Sequence, residues 1–234
     1  MITRRTLPDL LSRTGLFHDQ PAAVLAAVGA AMQEMRHAAG SQIFSRGDPG
    51  DSLFLILTGR VRISILTPDG RELSFSHAVP GDIVGEIAVL DGSPRSANAT
   101  ALSDVVALRL SARDFNRLVD QHSSLARAAI RLLCRRLREL SDHLEDIALL
   151  PLSARLARFF LNRLDALQDD RTAGKAVPIS LGISQGELAL LLGASRPKVN
   201  AALMTLAQAG AVVRNGASFT CDPRLLADLA KRND

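Results

Sequence analysis

Near Ser111 the hydrophobic period of this chain changes from strand-like to helical, and that change limits what the chain can fold into. Ahead of it, apolar residues alternate. Val61, Ile63 and Ile65 are interleaved with Arg62 and Ser64. Leu73 and Phe75 are interleaved with Ser74 and Ser76 across the turn Thr67-Pro68-Asp69-Gly70. This is a hairpin pattern with its own turn chemistry. Gly47, Gly50, Gly59, Gly81 and Gly85 punctuate further short strands between about Ala39 and Leu110. Many short strands with glycine-rich turns predict a β-sandwich or jelly roll. Residues 1–38 read as a polar, then Ala-rich, helical segment with Pro21 at a helix start.

Beyond Ser111 the period lengthens. Ser111 and Asp114 open a helical run. Ile130, Leu133, Leu137, Leu140, Leu144 and Ile147 then recur at spacings of three and four, flanked by Arg135, Arg136, Arg138, Glu139 and Glu145. That is a narrow heptad seam, the pattern of a helix with a partner helix. A parallel homodimer is the preferred reading, and an intramolecular core helix is the alternative. Leu150-Pro151 breaks the pattern. The expected organisation is therefore residues 1–110 for the helices and β-roll, 111–150 for the helical segment with the seam, and 151–234 for a third part. Residues 165–175, charged and containing Gly174, read as a loop.

In the third part, Ser184-Gln185-Gly186-Glu187 has the form of a capping box ahead of Leu188, Leu191 and Leu192. The helix it opens stops at Gly193. Ser195 starts a second helix to about Gln208, with Val199, Leu203 and Leu206 facing inward and Gly210 following. Two helices joined by a short Gly-containing turn form a helix-turn-helix. Val212, Val213, Asn215-Gly216 and Phe219 add a hairpin. The class is α+β, ending in a winged helix-turn-helix. In such a unit the second helix enters the major groove. Arg196 is the candidate for bidentate contact with guanine, and Asn200 for an adenine edge or a water-bridged contact. Gln185, Ser195 and Lys198 are phosphate or backbone candidates. A winged domain used for protein contacts is the alternative.

The run Gly85-Glu86-Ile87-Ala88 through Arg95-Ser96-Ala97 carries the ligand chemistry. A phosphate monoanion calls for a guanidinium fork and hydroxyl or backbone donors, which Arg95 and Ser96 offer. A ribose hydroxyl calls for a carboxylate acceptor, which Glu86 offers. Gly85 lets the backbone approach a ligand closely. Residues 86–90 suit a short helical turn with free N–H groups. An ordinary turn with a solvated arginine is the other reading of Gly-Ser-Pro-Arg.

Composition narrows the function. The 234 residues carry a net charge of +4, which suits a polyanionic partner. The two cysteines, Cys134 and Cys221, are too few for a cysteine-ligated iron–sulfur cluster. The five histidines, His18, His37, His77, His122 and His143, show no ligand spacing, which argues against a cupin-type metal enzyme. No Trp or Tyr is present to stack single-stranded nucleic acid. No nucleophile–base pair stands out, so a non-enzymatic protein without cofactor or bound metal is expected. No early run spans a bilayer or reads as a secretion signal, so a cytoplasmic protein without membrane contact is expected.

The order of these features resembles the cyclic-AMP receptor and fumarate–nitrate regulator (Crp/Fnr) family of bacterial transcription factors over nearly the whole chain. The matching runs include Gly47-Asp48-Pro49-Gly50-Asp51, Leu55-Ile56-Leu57-Thr58-Gly59-Arg60-Val61 and Pro80-Gly81-Asp82-Ile83-Val84-Gly85-Glu86. The resemblance implies a homodimeric, cyclic-nucleotide-responsive regulator. Its partners would be double-stranded DNA with a twofold operator, and RNA polymerase. In the nucleotide-binding branch, Glu86 would accept from the ribose and Arg95 and Ser96 would hold the phosphate, with Gly85, Ile87 and Ala88 around them. Arg136 and Ser141 match positions of the seam helix that approach the ligand, Ser141 from the other subunit. Where the best-known member has Thr, this chain has Leu140, which cannot pair with a purine edge. Cyclic AMP is the first expectation and cyclic GMP the second, with Phe75 a further candidate for base contact. A constitutive or differently liganded regulator is the alternative within the family. Pro197 and Ala201 replace a Glu and an Arg of that member's recognition helix, so its operator does not transfer.

Overall fold

Two four-stranded antiparallel sheets face each other across an apolar core in the first part of the chain. The computed structural model describes residues 7–67, 70, 72–165, 176–216 and 218–231. One sheet has the order β1 (Gln33–His37), β8 (Val105–Ser111), β3 (Ser52–Thr58) and β6 (Ile83–Val84). The other has the order β2 (Gln42–Phe44), β7 (Asn98–Ala101), β4 (Val61–Leu66) and β5 (Glu72–Ala78). Phe54, Ile56, Val61, Val84, Ala99 and Ala107 fill part of the space between them. This is the expected β-roll. Pro68, Asp69 and residues 166–175, which carry most of the expected turn and loop, lie outside the described residues.

Two expectations change. Residues 33–37 form strand β1, not a continuation of the Ala-rich helix. Helix α1 (Leu7–Leu11) and helix α2 (Ala22–Ala31) precede it, α2 opening after Pro21. Gln33–His37 carries no helical apolar stripe, and its backbone is claimed by antiparallel pairing with β8 from Gln33–Arg109 to His37–Val105. The second change is at Phe75. Ser64 pairs with Ser74 and Ile63 with Ser76, so Phe75 is the extra residue of a β-bulge. The regular alternation fails there: Ser74 is fully buried and Phe75 is exposed. A bulge reverses which face the following residues present.

Helix α3 (Glu86–Asp91) crosses between β6 and β7. Helix α4 (Ala112–Gln121) is capped by the Ser111 hydroxyl, which accepts from the Asp114 N–H at 3.0 Å. Helix α5 (Ser123–Leu149) follows. Its first half buries Leu125, Ala128, Ala129 and Leu132 against Leu16, Phe17, Val28, Leu110 and Phe115. Ile130 is 60% and Leu144 58% exposed in the single chain, so this core leaves much of the seam uncovered.

By contacts the chain divides into residues up to Arg138 and residues from Glu139 onward. The division falls inside α5, N-terminal to Leu150-Pro151. The second unit contains α6 (Leu152–Asp165), β9 (Val177–Ser180), α7 (Gln185–Leu191), α8 (Arg196–Gln208), β10 (Val212–Asn215), β11 (Ser218–Cys221) and α9 (Pro223–Leu229). Leu156, Phe160, Leu188, Val199, Leu206, Phe219 and Leu226 form its core. Strand β9 adds a third strand to the expected hairpin, pairing with β11.

Candidate functional site

Among the described residues of the β-roll unit, the charged side chains that are buried are Glu86 and Arg95, 6% and 4% exposed. Burying a charge is costly unless it is paired, so both need an explanation. Gly85 caps α3 in the left-handed region at φ 81°, where glycine carries no steric penalty. A Cβ on it would sit 2.6 Å from Arg95 Nη1. Without that carbon, Nη1 reaches the Gly85 carbonyl and donates to it at 2.9 Å. Nη2 donates to the Ser52 hydroxyl at 3.3 Å and stands 3.6 Å from Asp51 Oδ1. Asp51 is in turn held by the Ser52 hydroxyl, which donates to Oδ1 at 2.8 Å, and by Arg109 Nη2 at 3.1 Å from Oδ2. The Ser52 hydrogen bond holds the Asp51 carboxyl below its ordinary range, with Arg109 and Arg95 adding to the effect against partial desolvation. Arg95 Nε is buried with no hydrogen-bond partner among the described residues.

The loop that positions Arg95 is the run Gly47–Asp51. The Gly47 N–H donates to the Arg95 carbonyl and the Arg95 N–H to the Asp48 carbonyl, each at 2.9 Å. A Cβ on Gly50 would collide with Ala88 and with the Ser93 carbonyl, so only glycine allows α3 and the segment after it so close.

Burial raises the Glu86 carboxyl above its ordinary range. Its own backbone N–H, Arg136 and Arg95 pull it back down. Arg136, from α5, places Nε 3.9 Å from Glu86 Oε1, and its Nη2 donates to the Ile83 carbonyl at 3.3 Å. Helix α5 thus reaches the buried Glu86 carboxylate. Burial also lowers the Arg95 pKa, with Asp51 opposing, but a guanidinium stays charged.

The structure therefore brings Gly85, Glu86, Arg95 and Arg136 together. Ala88 is buried and Ile87 is exposed. Ser96 is exposed immediately after Arg95. Phe75 has no ring contact or hydrogen bond to this group among the described residues. Leu140 and Ser141 are exposed on the second half of α5, in the other unit. Sequence reasoning missed Phe44, Asp51 and Ser52 as site residues. Asp51 closes the matching run Gly47–Asp51, which was the available signal. Phe44 and Ser52 are ordinary strand residues and gave none. The arrangement gathers the cationic donors of Arg95 and Arg136 and the Glu86 carboxylate, an acceptor, at the start of α3. Among the described residues no cluster of His, Cys, Asp or Glu could hold a metal, and no helix is long and apolar enough to cross a membrane.

The second unit presents a separate surface. Ser184 caps α7, its hydroxyl accepting from the Glu187 N–H at 3.1 Å. Gly193, at φ 60°, turns the chain into α8. Val199, Ala202 and Leu206 bury one face of α8. Ser195, Arg196, Lys198 and Asn200 are exposed on its first turns, and Gln185 is half-buried at the start of α7. Arg214 on β10 also projects beside the Asn215-Gly216 turn, its Nε donating to the Gly216 carbonyl at 3.2 Å.

Residues 34–122 match the cyclic nucleotide-binding domain family, and residues 154–229 match the Crp-like helix-turn-helix domain family. The chain is 30% identical over 212 residues to the CRP-like cAMP-activated global transcriptional regulator of Mycobacterium tuberculosis, spanning 91% of this chain and 94% of that protein. It is 33% identical over 177 residues to the cyclic AMP receptor protein of Thermus thermophilus, spanning 76% and 77% of the two chains. Among solved structures, a transcriptional regulator of the CRP family from Thermus thermophilus superposes with a TM-score of 0.66 at 26% identity, covering 85% of this chain and 97% of that one. With both domains matched in this order and the alignment to the Mycobacterium relative covering 91% of the chain, the chain belongs to the Crp/Fnr family of DNA-binding transcription regulators.

Proposed function

We propose that the protein is a homodimeric transcription regulator that binds cyclic AMP in the β-roll, with cyclic GMP the competing ligand. The observation that carries this is Arg95: a buried guanidinium whose Nε has no partner among the described residues. Buried polar atoms are nearly always satisfied, and an exocyclic phosphate oxygen would satisfy this one. Glu86 then accepts from the ribose 2′-hydroxyl, and Ser96 supplies a second donor to the phosphate. The names of the Mycobacterium and Thermus relatives support cyclic AMP. Leu140, unable to pair with a purine edge, keeps cyclic GMP in play.

Arg136 joins α5 to Glu86 and is the route by which α5 senses the ligand. A ligand shifts an equilibrium only through contacts that differ between the two states. The Glu86–Arg136 contact is such a candidate, because a ribose hydroxyl competes for the same carboxylate. In the dimer, seam leucines of two α5 helices cover each other, with Ser141 reaching the partner's ligand. Two copies of α8 then read half-sites about 34 Å apart. RNA polymerase and a cytoplasmic location complete the proposal. The test is a DNA shift on a selected operator with cyclic AMP, cyclic GMP or neither. Tighter binding with one nucleotide supports the reading. Equal affinity in all three arms favours a constitutive or differently liganded regulator.

A further inference from the structure

The Arg95 guanidinium has a floor. Its Cζ lies over the ring of Phe44, 4.3 Å from the ring centroid. Phe44 comes from β2, in the sheet opposite β3, which supplies Ser52. Phe44 is itself stacked on Phe54, with centroids 6.1 Å apart and planes at 27°. Phe54 is buried in the roll core and meets the edge of His37 at 6.2 Å. Gly85 makes room for this layer too, since a Cβ there would stand 3.3 Å from Phe44 Cε1.

We propose that Phe44 is a positioning residue for nucleotide binding: its ring face fixes the plane of the Arg95 guanidinium and so presents Nε to the phosphate. This rests on the nucleotide reading above. Nη1 and Nη2 are tied to Gly85 and Ser52 along one edge of the fork. A planar group tied along one edge still pivots about it. The aromatic face below removes that freedom, attracts the cation through its quadrupole and keeps water from one side. Leucine would fill much of the same volume without the quadrupole or the flat face.

The test uses the full-length protein and the variants Phe44→Leu, Phe44→Ile and Phe44→Tyr, each checked for a cooperative melt. Calorimetry with cyclic AMP is expected to show about tenfold weaker binding for Phe44→Leu or Phe44→Ile, with Phe44→Tyr close to the parent. In the ligand-free protein, the Arg95 Nε–H proton resonance is expected to carry a ring-current shift. The shift is retained in Phe44→Tyr and lost in Phe44→Leu. Parent-like affinity in a folded Phe44→Leu protein overturns the proposal. If the parent takes up no cyclic nucleotide, the nucleotide reading fails by itself. The resonance then decides the clamp: an Arg95 signal unmoved by Phe44→Leu or Phe44→Ile overturns it.

Discussion

Arg136 Nε stands 3.9 Å from Glu86 Oε1, joining the long helix α5 to the first residue of α3. The contact links the element expected to dimerise with the carboxylate expected to hold the sugar. It also moderates the electrostatic cost of burying Glu86.

That cost sets a pH dependence. Burial raises the Glu86 carboxyl, so the folded state holds its proton more tightly than the unfolded chain. Stability from this group is therefore fully present below the unfolded value and is lost as pH rises through the folded value. Glu86→Gln removes the penalty. The variant is expected to melt higher than the parent at pH 7, by on the order of 2–4 °C for each kcal/mol gained. The advantage should shrink as pH falls through the carboxylate range. The same variant should bind cyclic nucleotide more weakly. Melting curves from pH 8 downward, with calorimetry at pH 7, check both.

Gly85→Ala tests the close approach. It forces a side chain onto a left-handed backbone and a Cβ to 2.6 Å from Arg95 Nη1. A loss of about 1–3 kcal/mol of stability is expected, together with weaker nucleotide binding, because the arginine must move. Denaturant unfolding and calorimetry read the two effects separately.

The seam is tested at Leu144, which is exposed in the single chain. The proposed dimer should run at twice 25.0 kDa in analytical ultracentrifugation, and Leu144→Lys at the mass of a single chain. The β-roll should keep its cooperative melt, since the core residues Leu125, Ala128, Ala129 and Leu132 are untouched. A variant that remains dimeric would place the interface elsewhere.

Arg196 and Lys198 should separate on DNA. Arg196→Ala is expected to cost about 1–3 kcal/mol and to relax preference at one base pair. Lys198→Ala should weaken all sequences alike and reduce the salt slope by about 1. Operator and scrambled-site titrations at several salt concentrations measure both.

The sequence made legible those parts whose determinants are local. Period-two alternation placed β4, Ser111 and Ser184 marked helix starts, and Asn215-Gly216 marked the wing. Gly85, Glu86 and Arg95 were legible because one short run holds them. Phe75 was not, because a bulge is a property of pairing: Ile63 meets Ser76 and Ser64 meets Ser74 whatever the alternation suggests. Gln33–His37 does not announce itself as a strand in the sequence, because its strand character comes from pairing with β8. The setting of Arg95 was hidden for the same reason. Ser52 is 43 residues away along the chain, and Phe44 arrives from another sheet. Neither residue type announces a role before the strands are paired.

The most direct measurement is calorimetric titration of cyclic AMP into the parent and into Arg95→Gln, with melting curves to confirm that both fold. One nucleotide should bind per chain in the parent, and the variant should lose affinity by about 100-fold. A parent that binds no cyclic nucleotide, or a folded Arg95→Gln protein that binds it as tightly, would contradict the account.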